Sequence, residues 1–242
     1  MKIKRYVTII SLIFSISVYS SQENRSEING AEKTAAEYFR VYDPWEGMNR
    51  RIYTFNYYFD RYFFIPVVET YRFITPDFAE RRVTDFFGNL GQSSVMVNSL
   101  AQWKGRKFMR SLGRFSINSI LGVFGFFDVA TELDMPREYE DFGLTLARYG
   151  ISDGPYIILP ILGPSNLRDG TGTLLGFLSA EQIIPYNYIG QIDTTNPIVT
   201  GLQSIDARKR NSFRYYDTGS PFEYEYLRFF YREFRDLQIK GE

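Results

Sequence analysis

The side chains available for chemistry in this sequence are limited, because its 242 residues include no histidine and no cysteine. This excludes histidine-based general bases, thiolate nucleophiles, haem ligation and zinc sites built from Cys and His. Carboxylates and Ser–Lys pairs remain, but the sequence has no GxSxG nucleophile elbow and no GxxxxGK[ST] or GxGxxG phosphate loop. We therefore predict that the protein is not an enzyme and has no catalytic residue, metal or cofactor.

The charge balance argues against a nucleic-acid partner. The sequence carries 28 basic and 28 acidic residues, so its formal net charge is zero. Proteins that bind nucleic acids normally show a basic excess or a basic stripe, since they must neutralise phosphates. We predict no nucleic-acid binding.

The first of two informative stretches is DPWEGMNRRIYTFN, Asp43 to Asn56. Asp43, Pro44 and Glu46 have the spacing of the N-cap, N1 and N3 positions of a capping box, so they predict the start of a helix. The run from Tyr53 to Phe59 then places five aromatic residues among seven. These rings cover every face of two helical turns, which indicates burial on several sides, either by protein or by lipid.

The second stretch is FGLTLARYGISDGPYIILPILGPSNLRDGTG, Phe142 to Gly172. Its glycines and prolines, among them Gly154, Pro155 and Pro160, predict a turn-rich scaffold between helices. We interpret YIILPIL, residues 156–162, as extended apolar chain, because Pro160 would interrupt a central strand. Arg168 and Asp169 close the stretch either as a local salt bridge or with the guanidinium placed to contact a lipid phosphate.

Helical periodicity dominates the rest of the sequence and predicts an all-α domain of about eight helices. Proline after a capping residue marks three more helix starts, at Thr75-Pro76, Asn196-Pro197 and Ser220-Pro221. The third of these adds Glu223 in a second capping-box arrangement. The predicted helices after the first stretch are 77–87, 92–103, 107–121, 172–177, 198–213 and 222–237.

The N-terminus predicts export. Lys2, Lys4 and Arg5 precede an apolar run that is too short to span a membrane, as in a secretory signal peptide cleaved near Ser20 or Ser21. We assign residues 1–20 to the signal peptide, 21–42 to a polar tether and 43–242 to the helical domain.

Both informative stretches, together with GNL (88–90), VMVNSL (95–100) and NSILGVFGFFDVA (118–130), resemble the MlaA (VacJ) family from about residue 43 to residue 217. The resemblance implies a single ring-like helical domain that lies in the inner leaflet of the outer membrane. It also implies removal of mislocalised phospholipid from the outer leaflet, with a porin trimer and a soluble periplasmic lipid carrier as partners. Family members usually carry an acylated cysteine after the signal. Because this sequence has none, we expect periplasmic-leaflet anchoring without acylation.

In the resembled family the early helix borders the opening that handles lipid. The resemblance therefore makes Phe55, Asn56 and Tyr57 lipid-channel candidates, with Asn49 and Arg168 as further ones. Asp43, Pro44, Glu46, Gly154, Pro155, Pro160 and Asp169 are expected to shape the motif structurally. Two alternatives stay open: a porin-bound structural envelope protein without lipid flux, and a lipid-degrading enzyme.

Overall fold

The computed structural model describes residues 41–183 and 196–241. The predicted signal peptide and all but the last two residues of the predicted tether lie outside the described residues. Helices predominate within them, which confirms the all-α class. The elements in chain order are α1 (Glu46–Phe59), a π-helical turn (Asp60–Phe64), α2 (Ile65–Ile74), α3 (Asp77–Ala101), α4 (Gly105–Ile120), α5 (Val129–Glu132), α6 (Phe142–Arg148), β1 (Tyr156–Leu159), β2 (Gly163–Asn166), α7 (Leu167–Ile183), α8 (Pro197–Arg210) and α9 (Glu223–Lys240).

The predicted capping box at the start of α1 is wrong. The helix begins at Glu46 without a side-chain cap. Asp43 instead accepts hydrogen bonds from the Asn49 amide (2.8 Å), the Tyr224 hydroxyl (2.5 Å) and the Arg228 guanidinium (3.0 Å). A charge-assisted bond to a buried arginine is stronger than a neutral bond to a backbone N–H, so α9 takes the carboxylate that the local sequence assigns to the cap.

The second predicted capping box is also wrong. Helix α9 begins at Glu223, and the Glu223 carboxylate accepts from the Tyr53 hydroxyl and from Thr218 rather than from the Ser220 N–H. Thr75 does not cap α3, which starts after Pro76 without a side-chain bond. The Asn196 cap of α8 is confirmed, because its side-chain oxygen accepts from the Ile198 N–H at 2.9 Å.

The two helices predicted over 77–87 and 92–103 form one continuous helix, α3. It packs against α4, the next helix in the chain, and the segment between α4 and α5 also lies against α3. Val123 and Phe124 have left-handed backbone conformations, followed by Gly125 with a φ of +90°. A Cβ at Gly125 would lie 2.6 Å from the Asn89 amide nitrogen, so only glycine permits this close approach of the return segment to α3.

The segment 156–162 forms the first strand and turn of a β-hairpin, where the sequence predicts extended apolar chain. Strand β1 pairs antiparallel with β2, from Tyr156 opposite Asn166 to Leu159 opposite Gly163. Pro160 follows the last paired residue, so its missing N–H removes no hydrogen bond from the ladder. Ile161 then adopts a φ of +68° to reverse the chain.

Helices α6 and α7 approach each other at glycines. A Cβ on Gly172 would lie 2.5 Å from the Gly143 backbone nitrogen, so the contact requires bare backbone on α7. Next to this contact, Asp169 accepts from Arg168 (2.9 Å), Arg235 (2.8 Å), Tyr231 (2.7 Å) and Asn166 (2.8 Å). This set, the Asp169 cluster, joins β2, α7 and α9 around one buried carboxylate.

The distribution of polar and apolar side chains is inverted relative to a water-soluble domain. Of the described buried residues, 22 are polar or charged and 11 are apolar. Large apolar side chains are widely exposed, with Phe73 at 91%, Trp103 at 87% and Ile198 at 80%. Extensive exposed apolar surface marks a face that contacts protein or lipid. Among the described residues, no helix has both the length and the apolar character needed to cross a membrane.

Three phenols donate to buried carboxylates: Tyr53 to Glu223, Tyr224 to Asp43 and Tyr231 to Asp169. Burial raises the pKa of each phenol, and the neighbouring carboxylate raises it further. In the unfolded chain these phenols titrate near pH ~10. Their stabilising contribution is therefore complete below pH ~10 and is lost as the pH rises through the higher folded-state pKa.

We expect the helical circular dichroism to stay constant up to pH ~10 and to fall above it. The absorbance of tyrosinate should rise in two phases, the second coinciding with the loss of helix. Tyr224→Phe should reduce the second phase, because it removes one of the three phenols that donate to buried carboxylates. A single absorbance phase completed before any helix is lost would contradict this expectation.

Candidate functional site

Helix α1 and the π-turn bury a polar stripe. Asn49, Tyr53, Asn56 and Asp60 follow each other at helical spacing and are at most 7% exposed. The opposite surface carries exposed aromatic rings, namely Phe55, Tyr58, Tyr62 and Phe63. An ordinary amphipathic surface helix has the reverse arrangement, with apolar residues inside. Helix α1 and the π-turn therefore have a polar interior side and an aromatic exterior side.

The two buried asparagines of α1 bind the backbone of the hairpin. Asn49 donates to the Tyr156 carbonyl (3.0 Å) and accepts from the Ile158 N–H (2.9 Å). Seven residues further, Asn56 donates to the Leu159 carbonyl (3.0 Å) and accepts from the Ile161 N–H (2.7 Å). Each side-chain amide presents one donor and one acceptor, as a neighbouring strand does, so the pair satisfies the free side of β1.

Phe55 and Tyr57 have different environments. Phe55 is 49% exposed and lies on the aromatic exterior, with its ring stacked on Phe59 at 5.9 Å between centroids. Tyr57 is half-buried; its ring packs edge-on against Tyr216, and its hydroxyl accepts from Arg61. The structure thus places Phe55 on the exposed surface and places Asn49 and Asn56 in the interior.

A cleft of about 500 Å³ opens between α1 and the start of α9, and we call it the α1 cleft. The α1 residues lining it are Arg50, Tyr53 and Thr54. Asn49, Phe55, Asn56 and Tyr57 are not among its lining residues, so the site candidates surround the helix rather than this cleft. The volume falls within the usual range of ligand sites, about 300–1,000 Å³.

Glu223 forms the polar floor of the α1 cleft. It accepts from the Tyr53 hydroxyl, the Tyr216 N–H, and the N–H and hydroxyl of Thr218. Burial alone would raise the pKa of Glu223, but these hydrogen bonds outweigh it and the pKa is lowered. The carboxylate is therefore held charged beside Arg50, whose guanidinium lies 4.3 Å from the centroid of the Tyr224 ring. The α1 cleft thus contains a carboxylate, a guanidinium group and tyrosine rings.

Arg168 is 6% exposed, and its Nε donates to Asp169 at 2.9 Å. Burial would raise the pKa of Asp169, but the bonds from Arg235 and Arg168 lower it overall, so both members of the pair are charged. The structure therefore places Arg168 in the Asp169 cluster and not among the residues of the α1 cleft. Of the two interpretations of this pair, the local salt bridge is present.

Two important residues of this region were missed in the sequence. Asp60 continues the polar stripe and binds Arg208 in a bidentate pair at 2.5 and 2.7 Å. Tyr53 was counted only as part of the aromatic run. The spacing of Asn49, Asn56 and Asp60 could have revealed one polar face, but Arg208 lies 148 residues away in the chain and no local pattern points to it. Among the described residues, no group of three or more carboxylates forms a possible metal site.

This chain is similar in sequence to known proteins. The family described as MlaA lipoprotein matches residues 41–238. An uncharacterized protein of Rickettsia felis is 38% identical over 148 residues, 61% of this chain and 59% of that protein. The intermembrane phospholipid transport system lipoprotein MlaA of Escherichia coli K12 is 40% identical over 136 residues, 54% of each chain. The chain thus spans less than two thirds of the length of these curated relatives.

A solved structure, described under the structural basis for maintenance of bacterial outer membrane lipid asymmetry, shares the fold. Its TM-score is 0.58 at 29% sequence identity. The match covers 78% of this chain and 98% of the other.

Proposed function

Because this chain belongs to the MlaA lipoprotein family, we propose that it is a phospholipid-transport component of the outer membrane. In this proposal it removes mislocalised phospholipid from the outer leaflet through a helical channel and thereby maintains lipid asymmetry. The names of its relatives support the class of function, since one is called an intermembrane phospholipid transport protein. The exported domain, 43–242, would lie at the periplasmic leaflet.

The inverted polarity of α1 is the observation that carries the proposal. Its interior stripe is polar, and its exterior is aromatic. A headgroup that crosses hydrocarbon is costly to desolvate, so the proposed channel must offer the headgroup a polar lining. Exposing two typical acyl chains to water would cost on the order of 20 kcal/mol, at ~0.8 kcal/mol per CH₂. An aromatic exterior lets the chains remain in contact with apolar surface.

We further propose a porin trimer and a soluble periplasmic lipid carrier as partners. The exposed apolar side chains at several places on the domain support a protein or lipid neighbour there, because such surfaces are normally covered. The transfer needs no bond to be made or broken, so the proposal requires neither a catalytic residue nor a cofactor. Release of free fatty acid or lysophospholipid by the pure protein would favour the enzyme alternative instead.

The test is the amount of outer-leaflet phospholipid in the native host, measured by susceptibility of intact cells to added phospholipase. We expect deletion of the protein to raise this amount and the wild type to restore it. No rise on deletion would overturn the proposal and favour a structural envelope protein without lipid flux.

Variants of α1 test whether this helix takes part in the proposed transport. Asn56→Ala combined with Tyr57→Ala should fail to restore the wild-type level. Tyr57→Ala alone leaves the bonds of Asn56 to the hairpin intact, so it separates a lipid effect from a folding effect. Phe230→Ala removes an exposed ring from α9 and is the control for the loss of an aromatic side chain. Protein level is measured for every variant. Full restoration by the double variant would show that the transport does not require Asn56 and Tyr57 of α1.

A further inference from the structure

A second cleft, of about 560 Å³, lies between α3 and the segment that contains α5, and we call it the α3–α5 cleft. The α1 cleft shares none of its lining residues. Three arginines and three carboxylates line it, so the lining has no net charge although it is densely charged. Those residues are Arg81, Arg82, Arg137, Asp85, Asp128 and Glu132.

Arg82 forms a fixed wall of this cleft. Its guanidinium lies 4.3 Å from the centroid of the Phe127 ring and 5.3 Å from that of Phe78. It also donates to the Phe126 carbonyl at 2.9 Å and pairs with Asp85 at 3.1 Å. A guanidinium held by two rings and two oxygens is rigid, so the wall needs little ordering when a ligand binds.

Arg137 and Asp128 also line the α3–α5 cleft and bind each other. Arg137 donates to Asp128 at 2.5 and 3.1 Å and lies 3.6 Å from Asp85. Burial and the neighbouring Asp128 carboxylate raise the pKa of Asp85, although Arg82, Arg137 and Arg81 act to lower it.

Two lining residues remain without an ionic partner in the described part of the chain. Arg81, on α3, and Glu132, at the end of α5, are both exposed and form no ion pair within the described ranges. The cleft thus presents one available cation and one available anion on different elements. Phe78, 58% exposed, and Phe127, 40% exposed, lie beside them with ring centroids 6.4 Å apart and add an apolar rim.

We propose that the α3–α5 cleft binds the zwitterionic phosphoester headgroup of a phospholipid, with the phosphate at Arg81 and the ammonium at Glu132. Guanidinium groups match phosphate oxygens, and carboxylates match an alkylammonium. The neutral sum of charges favours a zwitterion over an anionic headgroup, which would leave Glu132 without a cation. Phe78 and Phe127 then receive the first methylenes of the acyl chains.

This inference rests on the proposed function for its choice of lipid as ligand, and binding is measured directly. The detergent-solubilised full chain is titrated with phosphatidylethanolamine or phosphatidylglycerol of identical chains, and bound lipid is followed by native mass spectrometry. We expect tighter binding of phosphatidylethanolamine. Arg81→Gln should weaken both lipids about fivefold, the scale expected for the loss of one exposed charge-assisted contact. Glu132→Gln should weaken phosphatidylethanolamine alone.

The matched control is Arg106→Gln, which removes an exposed arginine of α4 that does not line the cleft. Glycerophosphoethanolamine and inorganic phosphate are added as competitors to separate a lipid site from a site for any phosphoester. Equal effects of Glu132→Gln on both lipids, an equal effect of Arg106→Gln, or displacement by inorganic phosphate alone would overturn the inference. Displacement by glycerophosphoethanolamine supports it.

The two proposals can fail separately. If deletion does not change outer-leaflet phospholipid but the headgroup preference depends on Arg81 and Glu132, the transport function fails and the binding site stands. If deletion raises outer-leaflet phospholipid while the Arg81 and Glu132 variants bind both lipids as the wild type does, the transport function stands and this inference is overturned.

Discussion

Replacing Asp169 by asparagine is expected to lower the free energy of unfolding by about 3–5 kcal/mol, the range for removing one partner of a buried ion pair. The asparagine keeps the shape of the side chain but removes the charge that faces Arg168 and Arg235, each only 6% exposed. Arg235 retains Asp141 at 2.8 Å, so Arg168 becomes the uncompensated buried charge. The measurement is denaturant unfolding of the detergent-solubilised protein, followed by helical circular dichroism.

Asp236→Asn is the matched control for this prediction. Asp236 neighbours Arg235 on α9, is more exposed, and has only a 4.0 Å contact with exposed Lys240. Surface pairs of this kind contribute about 0–1 kcal/mol, so the control should unfold nearly as the wild type does. A cost below about 1 kcal/mol for Asp169→Asn would show that the cluster does not carry the expected energy.

The same carboxylate predicts an acid dependence. The hydrogen bonds of Asp169 lower its folded-state pKa in spite of burial. Its stabilising contribution is therefore complete above the ordinary carboxyl pKa near ~4 and is lost as the pH falls through the folded-state value. The wild type should lose stability more steeply than Asp169→Asn over this acidic range.

Replacing Asn49 or Asn56 by leucine is expected to destabilise the domain by about 2–4 kcal/mol for each substitution, because each leaves a hairpin carbonyl and N–H without a partner. The two residues lie about 10 Å apart along α1, so the effects should add in the double variant. Hydrogen exchange is the direct measurement. The Ile158 N–H should lose protection in Asn49→Leu, and the Ile161 N–H in Asn56→Leu.

Arg51→Ala tests whether any change in α1 has the same effect, since Arg51 lies on the exposed side of the helix. It should leave the protection of both amides unchanged. Retained protection of Ile158 and Ile161 in the leucine variants would mean that the hairpin holds without the asparagines, and the expectation would then be wrong.

The elements that the sequence predicts well depend on local signals. The apolar periodicity of α4 and α9 and the Asn196-Pro197 start of α8 belong to contiguous residues, and the helices follow. The capping boxes failed because long-range partners compete for the same carboxylates. Tyr224 and Arg228 reach Asp43 from 181 and 185 residues away. Glycines weaken helices, yet α3 continues through Gly88 and Gly91 because its tertiary contacts outweigh local propensity.

The candidate site, too, was predictable from the sequence only where local signals mark it. The sequence marks Asn56 as an unusual polar residue in an aromatic run, but it does not show that this amide binds a strand more than a hundred residues away. It also does not distinguish the outward Phe55 from the inward Tyr53, because rings on every face hide the periodicity. The pairing of Asp60 with Arg208 required the tertiary structure for the same reason.

The hydrogen bonds between α1 and the hairpin also limit how early in synthesis this part of the chain can fold. The four amide contacts join residues 103–109 positions apart. An isolated two-stranded hairpin is marginal in water, and its free edge is a template for pairing with other chains. During synthesis from the N-terminus, Asn49 and Asn56 must wait for most of the helical domain before their partners exist. The free edge of the hairpin can therefore be covered by Asn49 and Asn56 as soon as residues 156–161 have emerged, because α1 has been synthesised long before.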